Sequence, residues 1–139
     1  MDRIFLATTE IHDWMRFVNN PMMRWMRGRS ACEGAVSWED ASRATANGLP
    51  QEVSAALDTQ NALTAADLLV ALPQHRVPLD TQRSVSQCTV WAFLRTQGGH
   101  VSMVVEAKVR ERFGSSIGQW LTQQSEAKTT RLGFLMDTL

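Results

Sequence analysis

The spacing of the apolar positions changes along this chain, and each change marks an element. Ile11, Trp14, Met15 and Val18 recur at helical spacing, which predicts an amphipathic helix that Asn19-Asn20-Pro21 stops. Met22, Met23, Trp25 and Met26 then crowd together. Such a cluster serves either as ordinary packing or as an adaptable contact surface. Gly28-Arg29-Ser30 breaks the pattern. Ser30-Ala31-Cys32-Glu33 reads as a capping box, in which Ser30 caps a second helix and Glu33 reaches back to it. Ala31, Ala35 and Trp38 form the inner face of that helix, Gly48 ends it, and Pro50 opens a short helix through Leu57.

From Asp67 the texture becomes strand-like. Leu68-Leu69-Val70-Ala71-Leu72 is a continuous apolar run closed by Pro73, which suits a buried strand, although a helix end would look similar. Pro73 to Arg83 reads as a loop or an irregular edge. Ser84 to Arg95 and His100 to Val109 are two strand-like runs joined by Gln97-Gly98-Gly99, a strong hairpin signal. Along the second run Val101, Met103, Val105, Ala107 and Val109 take one face, and His100, Ser102, Val104, Glu106 and Lys108 the other. Phe113-Gly114-Ser115-Ser116 leads into a helix holding Ile117, Trp120 and Leu121, with Ser116 as its cap. A last periodic piece carries Leu132, Phe134, Leu135 and Leu139, and no strand is evident after Leu121. The expected fold is α/β (α+β): a single domain over residues 1–139, mainly helical over 1–60, a small mixed sheet with a central hairpin over 67–109, and helical again over 116–139.

Composition narrows the function classes. The chain has 139 residues, a hydrophobic fraction of 44% and a charged fraction of 20%, enough apolar material for one core without a metal or disulfide staple. Its 14 basic and 14 acidic residues cancel, so any nucleic-acid contact needs a local basic patch. Cys32 and Cys88 lie far apart, in neither a disulfide framework nor zinc-ligand spacing. Ile4-Phe5-Leu6-Ala7 is too short for a signal segment or a membrane span, which makes the cytoplasm the default location. His75 and His100 lack an i, i+4 partner or an HExxH pattern, and His12 stands beside Asp13 on a helix. Ser84, Ser86, Ser115 and Ser116 lack a nucleophile elbow, and Gly98-Gly99 belongs to a hairpin rather than to a phosphate loop.

One constellation carries chemistry. Glu106 and Lys108 are two apart on a strand, so both project from the same face with Cα atoms about 6.6 Å apart. A carboxylate can hold Mg²⁺, and a lysine can orient water and offset charge on a phosphate, which is what metal-assisted phosphodiester hydrolysis requires. A second acid from the adjacent strand would complete the site. Lys108, Arg110 and Arg112 form a short basic stripe beside it, interleaved with Glu111, for phosphate contact or as a solvated edge. Glu33 has a complete role as a capping residue, and Glu106 with Lys108 reads equally as a solvated strand face.

The stretch Val104-Val105-Glu106-Ala107-Lys108-Val109, set between a hairpin strand and Phe113-Gly114 with its Trp-bearing helix, resembles the PD-(D/E)XK (restriction-endonuclease-like) nuclease superfamily. Together with Gly28-Arg29-Ser30-Ala31-Cys32-Glu33, Pro73-Gln74-His75 and Ser86-Gln87, it is similar to an uncharacterised bacterial nuclease-like family, over about Trp25 to Leu135. The resemblance implies a restriction-endonuclease-like core. In it, Glu33 is the helix acid, Glu106 and Lys108 are the third-strand pair, and Mg²⁺ is the cofactor with Glu106 as a ligand; Arg110 and Arg112 of the basic stripe beside that pair are the expected nucleic-acid contacts. It also places an acid on the second strand just after Ser86-Gln87. Thr89 stands there, and no Asp or Glu occurs from Thr81 to Val105. Two functions follow. One is a Mg²⁺-dependent nuclease with impaired or absent catalysis. The other is a non-catalytic module that binds nucleic acid, a protein partner or a second copy of itself, as a phage- or mobile-element-type inhibitor or accessory protein would.

Overall fold

The computed structural model describes residues 3–4, 10–78, 85–111, 114–122 and 125–138. Residues 5–9, Arg83, Ser84, Arg112, Phe113 and Leu139, used above, lie outside them, as does the side chain of Leu135. The fold is mixed α/β, with helices before and after a small sheet. Two compact units divide the chain: residues 1–75 with 88–111, and residues 76–87 with 112–139.

The larger unit begins with a 3-10 helix, Ile11–Phe17, where the spacing predicts an α-helix. The short segment is pinned at one end by a capping box between Glu10 and Asp13, and Val18 is already extended at the other. Its inward residue is Trp14, whose indole N–H donates to the buried carboxylate of Glu39 at 2.7 Å. Helix α1 (Pro21–Arg24) follows, with Met22 and Met23 exposed. Helix α2 (Ser30–Ala44) buries Ala31, Cys32, Gly34, Ala35 and Ala41, all small, together with Trp38 and Glu39. It ends four residues before Gly48, which takes a left-handed φ of +72° in the turn that leads to α3 (Gln51–Leu57).

The sheet has strand order β1-β4-β5, antiparallel throughout, with β1 at Asp67–Pro73, β4 at Val90–Thr96 and β5 at Gly99–Val105. Ile4 adds one parallel bridge to Ala71. Strand β4 is central because its alternate residues Val90, Ala92 and Leu94 are fully buried against Ala35, Trp38, Leu49, Leu57 and Leu68. The hairpin between β4 and β5 forms where Gly98-Gly99 places it. Gly98 comes so close to the loop after α3 that an added Cβ would stand 2.6 Å from the Ala62 carbonyl oxygen.

The run from Ser84 to Arg95 is not one strand. It breaks at Cys88-Thr89, because the Cys88 amide donates to the His75 carbonyl and the Gln74 amide to the Thr89 carbonyl, turning the chain into the end of β1. The residues before the break form β3 (Val85–Gln87), which pairs with β2 (Arg76–Pro78), so the expected loop after Pro73 holds a short hairpin instead. These two strands belong to the smaller unit, with α4 (Ile117–Thr122) and α5 (Glu126–Thr138). In that unit the Lys128 ammonium lies over the Trp120 ring, 5.3 Å from its centroid. Among the described residues no helix is long and apolar enough to cross a membrane.

Candidate functional site

Strand β5 ends at Val105, opposite Val90 at the start of β4, so Glu106 and Lys108 lie just beyond the last rung of the ladder. Thr89, 6% exposed, fills the space beside them. Its hydroxyl accepts a hydrogen bond from the Ala107 amide at 3.0 Å, replacing the strand partner that Ala107 lacks, and it stands 3.5 Å from Oε2 of Glu106 as donor. The other carboxylate oxygen of Glu106 receives the Lys108 ammonium at 2.9 Å. The alternation expected along the strand persists this far: Glu106 and Lys108 share the outer side, with Ala107 turned inward. Gly34 of α2 packs on the same spot. A Cβ there would meet Thr89 Cγ2 at 3.0 Å and the Ala107 methyl at 3.5 Å, so the missing side chain is what admits Thr89. The Cys88 thiol is pushed above its ordinary pKa, first by burial and then by the Glu106 charge nearby. It is therefore held protonated at neutral pH, a poor nucleophile.

Glu33 is not the reciprocal cap of Ser30. The N-cap of α2 is Arg29, Ser30 is the first helical residue, and Glu33 accepts the Gly28 amide at 2.7 Å while Arg27 approaches it at 3.4 Å. The tight Gly28 turn, with φ +78°, brings that amide within reach of Glu33 instead. The open end of the helix is filled from a distance. Glu111, just past the Glu106 segment, accepts from the Ser30 amide at 3.1 Å and the Ser30 hydroxyl at 2.9 Å through one oxygen. Its other oxygen accepts the Val109 and Arg110 amides. The Ser30 amide foremost, then its own amide, that of Val109 and the Ser30 hydroxyl hold the Glu111 carboxyl far below the usual range. Arg110 is exposed and extends over the Gly28 turn. Arg112, its expected companion, lies outside the described residues.

The arrangement does not fit a hard divalent cation. Mg²⁺ wants several oxygen ligands in near-octahedral geometry. Around Glu106 the neighbouring groups are a hydroxyl, an ammonium and a thiol, while Glu33 and Glu111 are committed to backbone amides. Among the described residues no group of three His, Cys, Asp or Glu side chains could hold a metal ion. The sequence did not single out Glu111 as a clamp, although its place three residues after Lys108 was visible. It also missed a row of rings on the outer face of the sheet. There His75, Trp91, Phe93 and His100 follow one another at centroid spacings of 5.9, 6.3 and 5.5 Å. That row was in principle legible, since Trp91 and Phe93 alternate on one strand and His100 is paired across from Arg95.

A family model described as a domain of unknown function, DUF6946, matches residues 7–139. The chain belongs to this family. The match takes in the smaller unit, the larger unit from residue 7 onward, and every residue of the Glu106 neighbourhood. No curated protein and no solved structure matches the sequence.

Proposed function

We propose that this domain is a PD-(D/E)XK-like nuclease relative that no longer cleaves phosphodiesters and acts in the cytoplasm as a binding module. One observation carries the reading: Thr89, not a carboxylate, stands beside Glu106. A metal-dependent hydrolase needs at least two oxygen anions converging on the cation, and a neutral hydroxyl already bonded to the Ala107 amide replaces one of them. Several features support the wider resemblance. Glu33 stands on the helix that precedes the sheet, Thr89 at the head of the central strand, and Glu106 with Lys108 at the end of the next strand. The two cysteines are unpaired, in keeping with a reducing compartment.

The contact surface of the module is the N-terminal methionine cluster. Met22 is 89% exposed, Met23 also faces solvent, and methionine adapts readily to a partner's shape. Arg110 offers a contact for phosphate if the partner is a nucleic acid. The test is cleavage of single- and double-stranded DNA and RNA in Mg²⁺ or Mn²⁺, with Lys108→Ala as the control. The reading expects no metal-dependent products from either protein. Cleavage by the natural sequence that Lys108→Ala abolishes would overturn it and establish the nuclease.

A further inference from the structure

A cleft of about 420 Å³ opens between the 3-10 helix, the segment after α1 and helix α2. Its lining is apolar at Ile11, Trp25, Met26, Cys32 and Val36. Cys32 and Val36 are one helical turn apart on α2, so both face the opening beside Trp25. The size falls within the range of pockets that hold small ligands, roughly 300–1,000 Å³. Its lining includes neither Thr89, Glu106 nor Lys108, but Trp25 and Met26 belong to the methionine-rich cluster proposed above as a contact surface.

The rim is charged, and its charges are sorted. Arg27 and Arg43 both border the cleft, each paired with a carboxylate of α2. In each pair the cation is turned outward and the anion inward: Arg27 is 71% exposed against 30% for Glu33, and Arg43 54% against 1% for Glu39. Glu10, the acid on the rim, is occupied with Asp13 in the capping box of the 3-10 helix. His12 completes the border. The opening therefore presents guanidinium to solvent above an apolar floor, and guanidinium binds a carboxylate through two parallel hydrogen bonds.

We infer that this cleft is a binding site for a small amphipathic carboxylate, an apolar chain or ring bearing one acid group. The apolar body lies against Trp25, Met26 and Val36, and the acid reaches Arg27 at the rim. Burial of the body supplies most of the affinity, because an exposed ion pair contributes little. The charge supplies the choice between head groups.

The experiment uses decanoate and decylammonium, below their aggregation thresholds, titrated into the full chain by calorimetry, with the Trp25 indole and Met26 methyl signals followed by NMR. Decanoate is expected to bind at one site per chain, to move both signals, and to bind about three- to fivefold more tightly than decylammonium. Arg27→Glu, at a position 71% exposed, is expected to erase or reverse that preference. Val36→Trp is expected to obstruct the apolar floor and weaken binding of both probes. Equal binding of the two probes, binding that moves neither signal, binding that keeps its preference in Arg27→Glu, or no binding of decanoate at millimolar concentration would each overturn the assignment.

Discussion

The Glu111 carboxylate collects three backbone amides and a hydroxyl, and that arrangement has a pH signature. Its folded pKa lies below the ordinary 4.5, so the unfolded chain binds the proton more readily than the folded one. The stability it contributes is therefore complete above its ordinary value and is lost as pH falls through the range beneath it. Urea midpoints of the natural protein and Glu111→Gln are expected to differ most at neutral pH and to converge on acidification below pH 4.5. A gap that stays constant with pH would show that the clamp does not act through its charge. Cys88 gives a second test at this scale. Burial is the main cause of its raised pKa, with the Glu106 charge secondary. Alkylation by iodoacetamide should be slow compared with a free thiol and only modestly faster in Glu106→Gln. A large acceleration in that variant would make the charge, not burial, the dominant cause.

At the scale of elements, β4 divides the molecule's tolerant and intolerant positions. Leu94 is fully buried at its centre, and Leu94→Ala is expected to cost about 2–5 kcal/mol in chemical denaturation. Val104, on the neighbouring strand but 65% exposed, is expected to accept Val104→Ser within roughly 0.5 kcal/mol. The hairpin tip is intolerant for a different reason. A methyl on Gly98 would meet the Ala62 carbonyl, backbone that cannot swing aside, so Gly98→Ala should lose about 1–3 kcal/mol. Strands β1, β4 and β5 were legible because their apolar runs and the Gly98-Gly99 turn act locally. The break at Cys88-Thr89 and the early end of β5 were not. Both depend on hydrogen bonds to His75, Gln74 and Thr89 from other parts of the chain, and local periodicity carries no trace of those. The N-terminus of α2 misled for the same reason. Ser30 and Glu33 have the spacing of a capping box, but Glu111, 81 positions from Ser30, takes the place, and Glu33 turns to Gly28.

At the scale of the whole molecule, the mixed α/β architecture and the shared face of Glu106 and Lys108 could be read from the chain, but not that the two pair with each other. The neutral residue at the head of the central strand was legible too. What the sequence could not supply was the use made of Thr89: its hydroxyl ties off the Ala107 amide and faces Glu106, so the position is built into the packing under Gly34. Among the described residues, the groups around the Glu106 carboxylate are therefore a hydroxyl, an ammonium and a thiol, with no second acid. Isothermal titration with Mn²⁺, on the natural protein, Thr89→Asp and the double variant Thr89→Asp/Glu106→Gln, tests this most directly. The account predicts no binding by the natural protein, binding gained in Thr89→Asp, and binding lost again in the double variant. Stoichiometric Mn²⁺ binding by the natural protein that Glu106→Gln removes would contradict it, and would mean that a working metal site has formed around Thr89.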